Sequence, residues 1–341
     1  MAELPKTVGW IGLGAMGFPM AANLVKKLSN DTQFFVYDVV QDFVDRFVKE
    51  GGERVHACTS AKEVADKSDV ILSMVPEGSH VRAVYLTPDT GVLASDIEAK
   101  ILIDCSTIDT GTSLAIRDET ASKHPKARFY DAPVSGGVVG AEKGTLTFML
   151  GSSESNQDIQ FLKTLLSLMG GNIFPCGGSS LGLTAKLCNN YTSAMISVAT
   201  SEAMNIGITA GMDPRVLANI FHTSTAQSAI CDDWCPVPGI SPDAPSSKGY
   251  KGGFRVGLMK KDVGLAVDTA KRLGVKLALG EPGLGVYEGA ARDPRCEGLD
   301  SRVIYRFLGA REDWRRDFPE EVEMRRDETK RLVRVAREKG L

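Results

Sequence analysis

Lys186 and Asn190 lie four residues apart in the proline-free run Leu181 to Gly207, LGLTAKLCNNYTSAMISVATSEAMNIG. The run is long enough for about seven helical turns, and a four-residue spacing puts the two side chains on one helical face. Asn189 sits beside them, and Ser193, Ser197 and Ser201 continue a small-polar stripe. A lysine on a mostly apolar helix either snorkels to water or, when buried, needs a partner or a depressed pKa. In the second case it can accept a proton near neutrality.

A second constellation opens the chain. Thr7 to Gly14, TVGWIGLG, is an apolar strand running into glycines, and helical periodicity follows from Ala15 to Leu28. The turn Gly12-Leu13-Gly14-Ala15-Met16-Gly17 supplies a tight bend, close backbone approach to a pyrophosphate, and close packing of helix on strand. Free N–H groups at the helix start would face the phosphates. A second apolar strand, Phe34 to Tyr37, ends in Asp38, 21 positions beyond Gly17, where an acceptor for a ribose 2′-hydroxyl is expected. These features predict a dinucleotide site.

The elements that position these residues alternate. A helix near 41–50, the strand Asp69 to Val75, a helix from Ser79, the strand Ile101 to Asp104, a helix from Thr112 and the strand Phe129 to Asp131 predict a doubly wound, mostly parallel α/β (Rossmann) sheet. Ligands in such sheets sit beyond the carboxyl ends of strands. That singles out Val75-Pro76, Ser106-Thr107-Ile108 and Asp131 to Gly137. In the last, Ser135-Gly136-Gly137 pairs a hydroxyl with adjacent N–H groups able to hold a carboxylate. After Thr145 to Gly151, a helix near 154–169 and the strand Asn172 to Cys176, the Gly177 to Ser180 cluster marks a boundary. The expected division is a dinucleotide-binding domain over 1–178, an all-helical substrate and oligomerisation domain over 179–311, and a charged extension over 312–341. The Pro-, Gly- and Ser-rich segment Cys235 to Phe254 reads as a loop over the active site or a neighbouring subunit.

Composition narrows the classes. At 341 residues the chain exceeds the usual size of one core. A net charge of −3 with 24% charged residues disfavours nucleic acid and membrane surfaces as partners. No apolar run is long enough to cross a bilayer, and no signal or transit segment is visible ahead of the first strand. Seven scattered cysteines fit a reducing compartment, Cys231 and Cys235 make a poor zinc half-site, and the four histidines lack ligand spacing. No metal is expected.

The glycine turn, Asp131 to Gly137, Gly182 to Asn190 and Met259-Lys260-Lys261-Asp262-Val263-Gly264-Leu265-Ala266 stand in one order. In this the chain resembles the β-hydroxyacid dehydrogenases over about residues 7–309. Asn205-Ile206-Gly207, Pro236-Val237-Pro238-Gly239 and Gly252-Gly253-Phe254 match its 3-hydroxyisobutyrate branch. The resemblance implies that Lys186 is the catalytic acid/base and that Ser135, Gly136, Gly137, Asn190 and Thr107 bind substrate. It further implies that Gly12, Leu13, Gly14, Ala15, Met16, Gly17, Asp38, Val75, Pro76, His80, Thr107 and Lys261 contact NAD. His80 stands where the family usually has asparagine, and Trp234 where the branch often has tyrosine. The implied reaction is oxidation of a primary alcohol β to a carboxylate, with a small-molecule substrate and a homodimer or homotetramer. For a eukaryotic source the resemblance points to valine breakdown in the mitochondrial matrix, otherwise to the cytoplasm. Reduction of another small β-acid semialdehyde, of the tartronate semialdehyde type, and a non-catalytic dinucleotide-binding relative are the alternatives. Imine reduction fits less well, because imine reductases of this fold generally lack the lysine.

Overall fold

The computed structural model describes residues 4–319. They form two compact units. The first holds residues 4–193 with Leu258–Leu284, and the second holds Ala194–Gly257 with residues 285–319. This division differs from the one expected at residue 178: the first half of the long helix and most of a later helix cluster with the first unit.

In the first unit, β1 (Thr7–Ile11), β2 (Gln33–Tyr37), β3 (Val55–Ala57), β4 (Val70–Ser73), β5 (Ile101–Asp104) and β6 (Arg128–Asp131) make one parallel sheet in the order β3-β2-β1-β4-β5-β6. Helices α1 (Gly17–Lys27), α2 (Gln41–Gly51), α3 (Ala61–Lys67), α4 (Gly78–Leu86) and α5 (Thr110–Lys123) alternate with the strands. A parallel sheet covered on both faces needs strands that are apolar throughout. Thus Val70 and Leu72 of β4 enter one buried cluster with Val8 and Trp10, while Ile71 enters another with Ile11, Val81 and Tyr85. The strand order reverses between β1 and β4, where ligand crevices form at the carboxyl edge of such sheets.

A second sheet of the same unit joins β7 (Val134–Ser135), β8 (Leu146–Leu150) and β9 (Gly170–Pro175), with α6 (Gly137–Lys143) and α7 (Ile159–Ser167) between its strands. Helix α8 (Leu181–Thr209) then runs from the first unit into the second.

The second unit is mainly helical, with α9 (Pro214–Thr223), α10 (Ala229–Asp232), the end of α12 (Gly280–Arg292) and α13 (Ile304–Phe307); α11 (Val256–Leu273) lies largely in the first. Segment 235–254 is an ordered loop. Val237, Ile240 and Tyr250 are buried, the Tyr250 hydroxyl donates to Pro236 O at 2.9 Å, and Ser246 Oγ donates to Cys235 O at 2.6 Å. Residues 312–319, the start of the charged extension, pack against the second unit. Trp314 is buried with Met204, Ile208, Val237 and Tyr305, and its indole donates to Pro238 O at 2.9 Å. The rest of the charged extension, beyond residue 319, lies outside the described residues.

Candidate active site

The glycine turn takes the shape a pyrophosphate requires. A side chain at Gly12, which has φ +96°, would strike Met74 O, and one at Gly17 would strike Gly12 O. Gly14 has open space on its Cβ side, leaving bare backbone where a ligand would lie. Buried Trp10 donates its indole N–H to Gly12 O at 2.8 Å, and Gly12 N–H bonds Tyr37 O at 2.9 Å. Asp38 accepts from Leu13 N–H at 2.5 Å and from Val40 N–H at 2.8 Å. Its carboxylate is therefore tied to the glycine turn, with lone pairs left over for ribose hydroxyls. These residues fit a dinucleotide.

Lys261, on α11, joins the turns after β4 and β5 by donating to Pro76 O at 3.0 Å and Thr107 O at 2.6 Å. An open cleft of about 400 Å³ lies there, lined by Glu77, Ser79, Arg82, Thr107, Thr112 and Lys261 among others. Val75 N–H bonds Ser106 Oγ at 2.9 Å. His80 is exposed on the first turns of α4, with no side-chain partner among the described residues.

Helix α8 buries Leu183, Lys186, Leu187, Asn190, Ala194, Ser197 and Ser201, a stripe at helical spacing. Lys186 is 8% exposed. Burial pushes its ammonium below the ordinary lysine range; the charge of Asp262 opposes this and that of Lys261 adds to it. Asp262 is 1% exposed and accepts from Asn190 Nδ2 at 2.6 Å, while its Oδ1 lies 3.3 Å from Lys261 Nζ. That approach is an ion pair in distance but lacks hydrogen-bond geometry, for Oδ1 has no hydrogen-bond partner. Lys186, Asn190, Asp262 and Lys261 thus form one group.

Asp131, at the end of β6, accepts from Ser180 N–H at 2.7 Å and Leu183 N–H at 2.9 Å, and so seats the first turn of α8. Gly182 fits there because a side chain would strike Met149 O. Four residues beyond Asp131, Ser135 is half-buried at the end of β7, and Gly136 and Gly137 are exposed at the start of α6. Sequence reasoning gave no role to Asp131 or Asp262, although both stand inside quoted motifs. Their signal was an acid just before or after a residue already implicated. Among the described residues no cluster of His, Cys, Asp and Glu could hold a metal ion, and no helix is long and apolar enough to cross a membrane.

Known proteins match most of this chain. A family model described as the NAD binding domain of 6-phosphogluconate dehydrogenase matches residues 7–178. Another, described as NAD-binding of NADP-dependent 3-hydroxyisobutyrate dehydrogenase, matches residues 180–308. A probable mitochondrial 3-hydroxyisobutyrate dehydrogenase of Dictyostelium discoideum is 45% identical, the match covering 89% of this chain and 91% of the relative. An NAD-dependent L-serine dehydrogenase of Pseudomonas aeruginosa is 38% identical over 83% of this chain and 91% of its own. The solved structure of Mycobacterium tuberculosis 3-hydroxyisobutyrate dehydrogenase with L-serine has a TM-score of 0.81 at 33% identity, covering 89% of this chain and 99% of that one. The chain belongs to the β-hydroxyacid dehydrogenase family, most like its 3-hydroxyisobutyrate dehydrogenases, and is an NAD-dependent dehydrogenase.

Proposed function

We propose that the chain oxidises 3-hydroxyisobutyrate to methylmalonate semialdehyde, a step of valine breakdown, with Lys186 as the general acid/base. The observation that carries this reading is a buried lysine of lowered proton affinity, grouped with Asn190 and Asp262. Neutral Lys186 takes the hydroxyl proton at Nζ, which lets the C–O bond gain double-bond character as the carbinol hydride departs. When bound, the nicotinamide supplies the acceptor for that hydride. In the reverse direction the Lys186 ammonium returns the proton to the aldehyde oxygen. Asn190, fixed by Asp262, orients the substrate, and Ser135, Gly136 and Gly137 hold its carboxylate.

The proposed cofactor set is the glycine turn 12–17, Asp38, Val75, Pro76, Thr107 and Lys261, with NAD preferred over NADP. Thr107 also borders the substrate. His80 is not built into the turns that Lys261 joins, and we keep it only as an edge contact. The division of labour near residue 178 is part of this proposal: the residues before it bind the cofactor and the substrate carboxylate, and Lys186 follows it. The reading also carries a homodimer or homotetramer and, for a eukaryotic source, the mitochondrial matrix; the Dictyostelium discoideum relative is named mitochondrial.

A second reading, oxidation of L-serine, draws on Asp262 Oδ1, a buried carboxylate oxygen that makes no hydrogen bond to Lys261 Nζ 3.3 Å away and so keeps lone pairs for a substrate ammonium. The Pseudomonas aeruginosa relative is named for that activity. NADH formation by the purified protein on 3-hydroxyisobutyrate, L-serine and glycerate separates the readings. The highest kcat/KM is expected on 3-hydroxyisobutyrate, and higher efficiency on either other compound would overturn the choice of substrate.

A further inference from the structure

Two serine hydroxyls, one at the end of β4 and one in the turn after β5, meet at one buried carboxylate, and a tyrosine of α4 backs the first of them. Asp104 ends β5, is 1% exposed and is the register partner of Ser73 at the end of β4. Its Oδ1 accepts from Ser73 Oγ at 2.8 Å, from Ser106 Oγ at 2.7 Å and from Ser106 N–H at 3.3 Å. Its Oδ2 is buried with no hydrogen bond.

The acceptor at the centre fixes every proton around it. Each serine has one hydroxyl hydrogen and spends it on Asp104. Tyr85 must then donate to Ser73, 2.9 Å away. Ser106 has only lone pairs left on its other side, and one of them takes the Val75 N–H at 2.9 Å. Reversing the Ser106 hydroxyl would point a hydrogen at that amide.

We propose that Asp104 is a positioning residue for the cofactor, locking the Ser106 hydroxyl so that its oxygen holds the Val75 amide and sets the turns 74–76 and 106–108. The proposal rests on the reading of Val75, Pro76 and Thr107 as cofactor contacts. Without some such function a buried, unpaired carboxylate is a poor choice at this position, since charge in the interior is costly. The charged and titratable groups around it give no compensation. Asp131, its register neighbour on β6, adds a like charge, Tyr85 and Cys105 have their own ionisation suppressed by burial, and no lysine or arginine pairs with it among the described residues.

The arrangement makes cofactor grip depend on pH. Burial pushes the Asp104 carboxyl up to about 6. Below that pH a proton settles on Oδ2, the oxygen with no bond, and the two serine bonds lose their charge assistance. The turns loosen while the fold remains.

The test is direct NADH binding, read by fluorescence titration without hydroxyacid so that Lys186 chemistry does not enter. Asp104→Asn copies the neutral state. At pH 8 its Kd should be about tenfold above wild type, the loss expected when charge-assisted bonds become neutral ones. The wild-type Kd should climb toward the variant's as pH falls through 6, and the variant should stay flat. Ser106→Ala, which cuts the link to Val75 and leaves the carboxylate, should weaken binding and abolish the pH step. Binding by Asp104→Asn within twofold of wild type at pH 8, or with the same pH profile, would overturn the proposal. Should Asp104→Asn fail to fold, a Ser106→Ala variant with wild-type affinity and pH step would overturn it equally. Wild-type protein that binds no NADH would instead overturn the cofactor reading beneath it.

Discussion

The Leu183 N–H donates to Asp131 Oδ2 at 2.9 Å, three residues ahead of Lys186, so a carboxylate on the parallel sheet holds the helix that carries the proposed base. Ser180 N–H takes the other oxygen at 2.7 Å. Asp131→Asn puts an NH2 group against one of these buried amides. The loss should be about 1–3 kcal/mol, the cost of an unsatisfied buried donor. Urea unfolding at pH 7 measures it, and a variant as stable as wild type would show that Asp131 does not seat the helix.

The proposed preference for NAD rests on Asp38. Its carboxylate is held at the glycine turn, and the next residue, Val39, is 85% exposed and brings no positive charge. A carboxylate about 4 Å from a 2′-phosphate repels it by about 4 kcal/mol per unit charge at an effective dielectric near 20, before solvent and salt reduce the figure. NAD should exceed NADP in kcat/KM by at least ~100-fold, a little under ~3 kcal/mol. Asp38→Ser combined with Val39→Arg should narrow or reverse the ratio. Wild-type enzyme preferring NADP would refute this role of Asp38.

The glycine turn, β1, β2, β5, β6 and α8 were legible because each rests on local periodicity and glycine chemistry. Helix α8 begins at Leu181 as expected and ends at Thr209, two residues beyond the expected end. Strand β3 and helix α3 escaped the sequence reading. The former is three residues long with one buried side chain, and the latter has seven residues, too few for either pattern to stand out. The groupings around the site are non-local. Ser73 meets Asp104 through strand register, and Asn190 meets Asp262 across 72 residues, so no spacing rule reaches them. Trp314 sits beyond the matched family segments and was hidden in a run of charges, yet it closes part of the second unit's core.

The proposed carboxylate site at Ser135 to Gly137 predicts selectivity. Each charge-assisted bond contributes roughly 1.5–3 kcal/mol. Ser135→Ala should raise KM for 3-hydroxyisobutyrate by at least ~10-fold while hardly changing that for an alcohol of equal size without the acid. Steady-state kinetics on both compounds decides this, and equal losses would remove Ser135 from carboxylate binding.

Asp104 gives a signed dependence of stability on pH. Its folded pKa of about 6 lies above the ordinary 3.8, so the unfolded chain releases the proton first as pH rises. The group therefore costs stability as pH climbs from about 4 to about 6, by roughly 3 kcal/mol from the difference in pKa. Asp104→Asn has no such group. Relative to wild type, the variant should gain roughly that much between pH 4 and pH 7 in urea unfolding. An unchanged gap would mean that Asp104 titrates normally.

Asp262 should tune the base. Its negative charge raises the proton affinity of Lys186 against the effect of burial. Asp262→Asn keeps an oxygen to accept from Asn190 and removes that charge. The acid limb of the kcat profile for oxidation should then move to lower pH. A limb that stays fixed or moves up would disconnect Asp262 from Lys186.

The most direct measurement is turnover by Lys186→Ala on 3-hydroxyisobutyrate with NAD, beside NADH affinity of the same protein. Loss of a general acid/base predicts a kcat lower by ~100 to 10,000-fold with NADH affinity unchanged. Lys186→Arg should restore little, since a guanidinium keeps its proton at any working pH. An alanine variant that retains a third of wild-type turnover would contradict the assignment of Lys186.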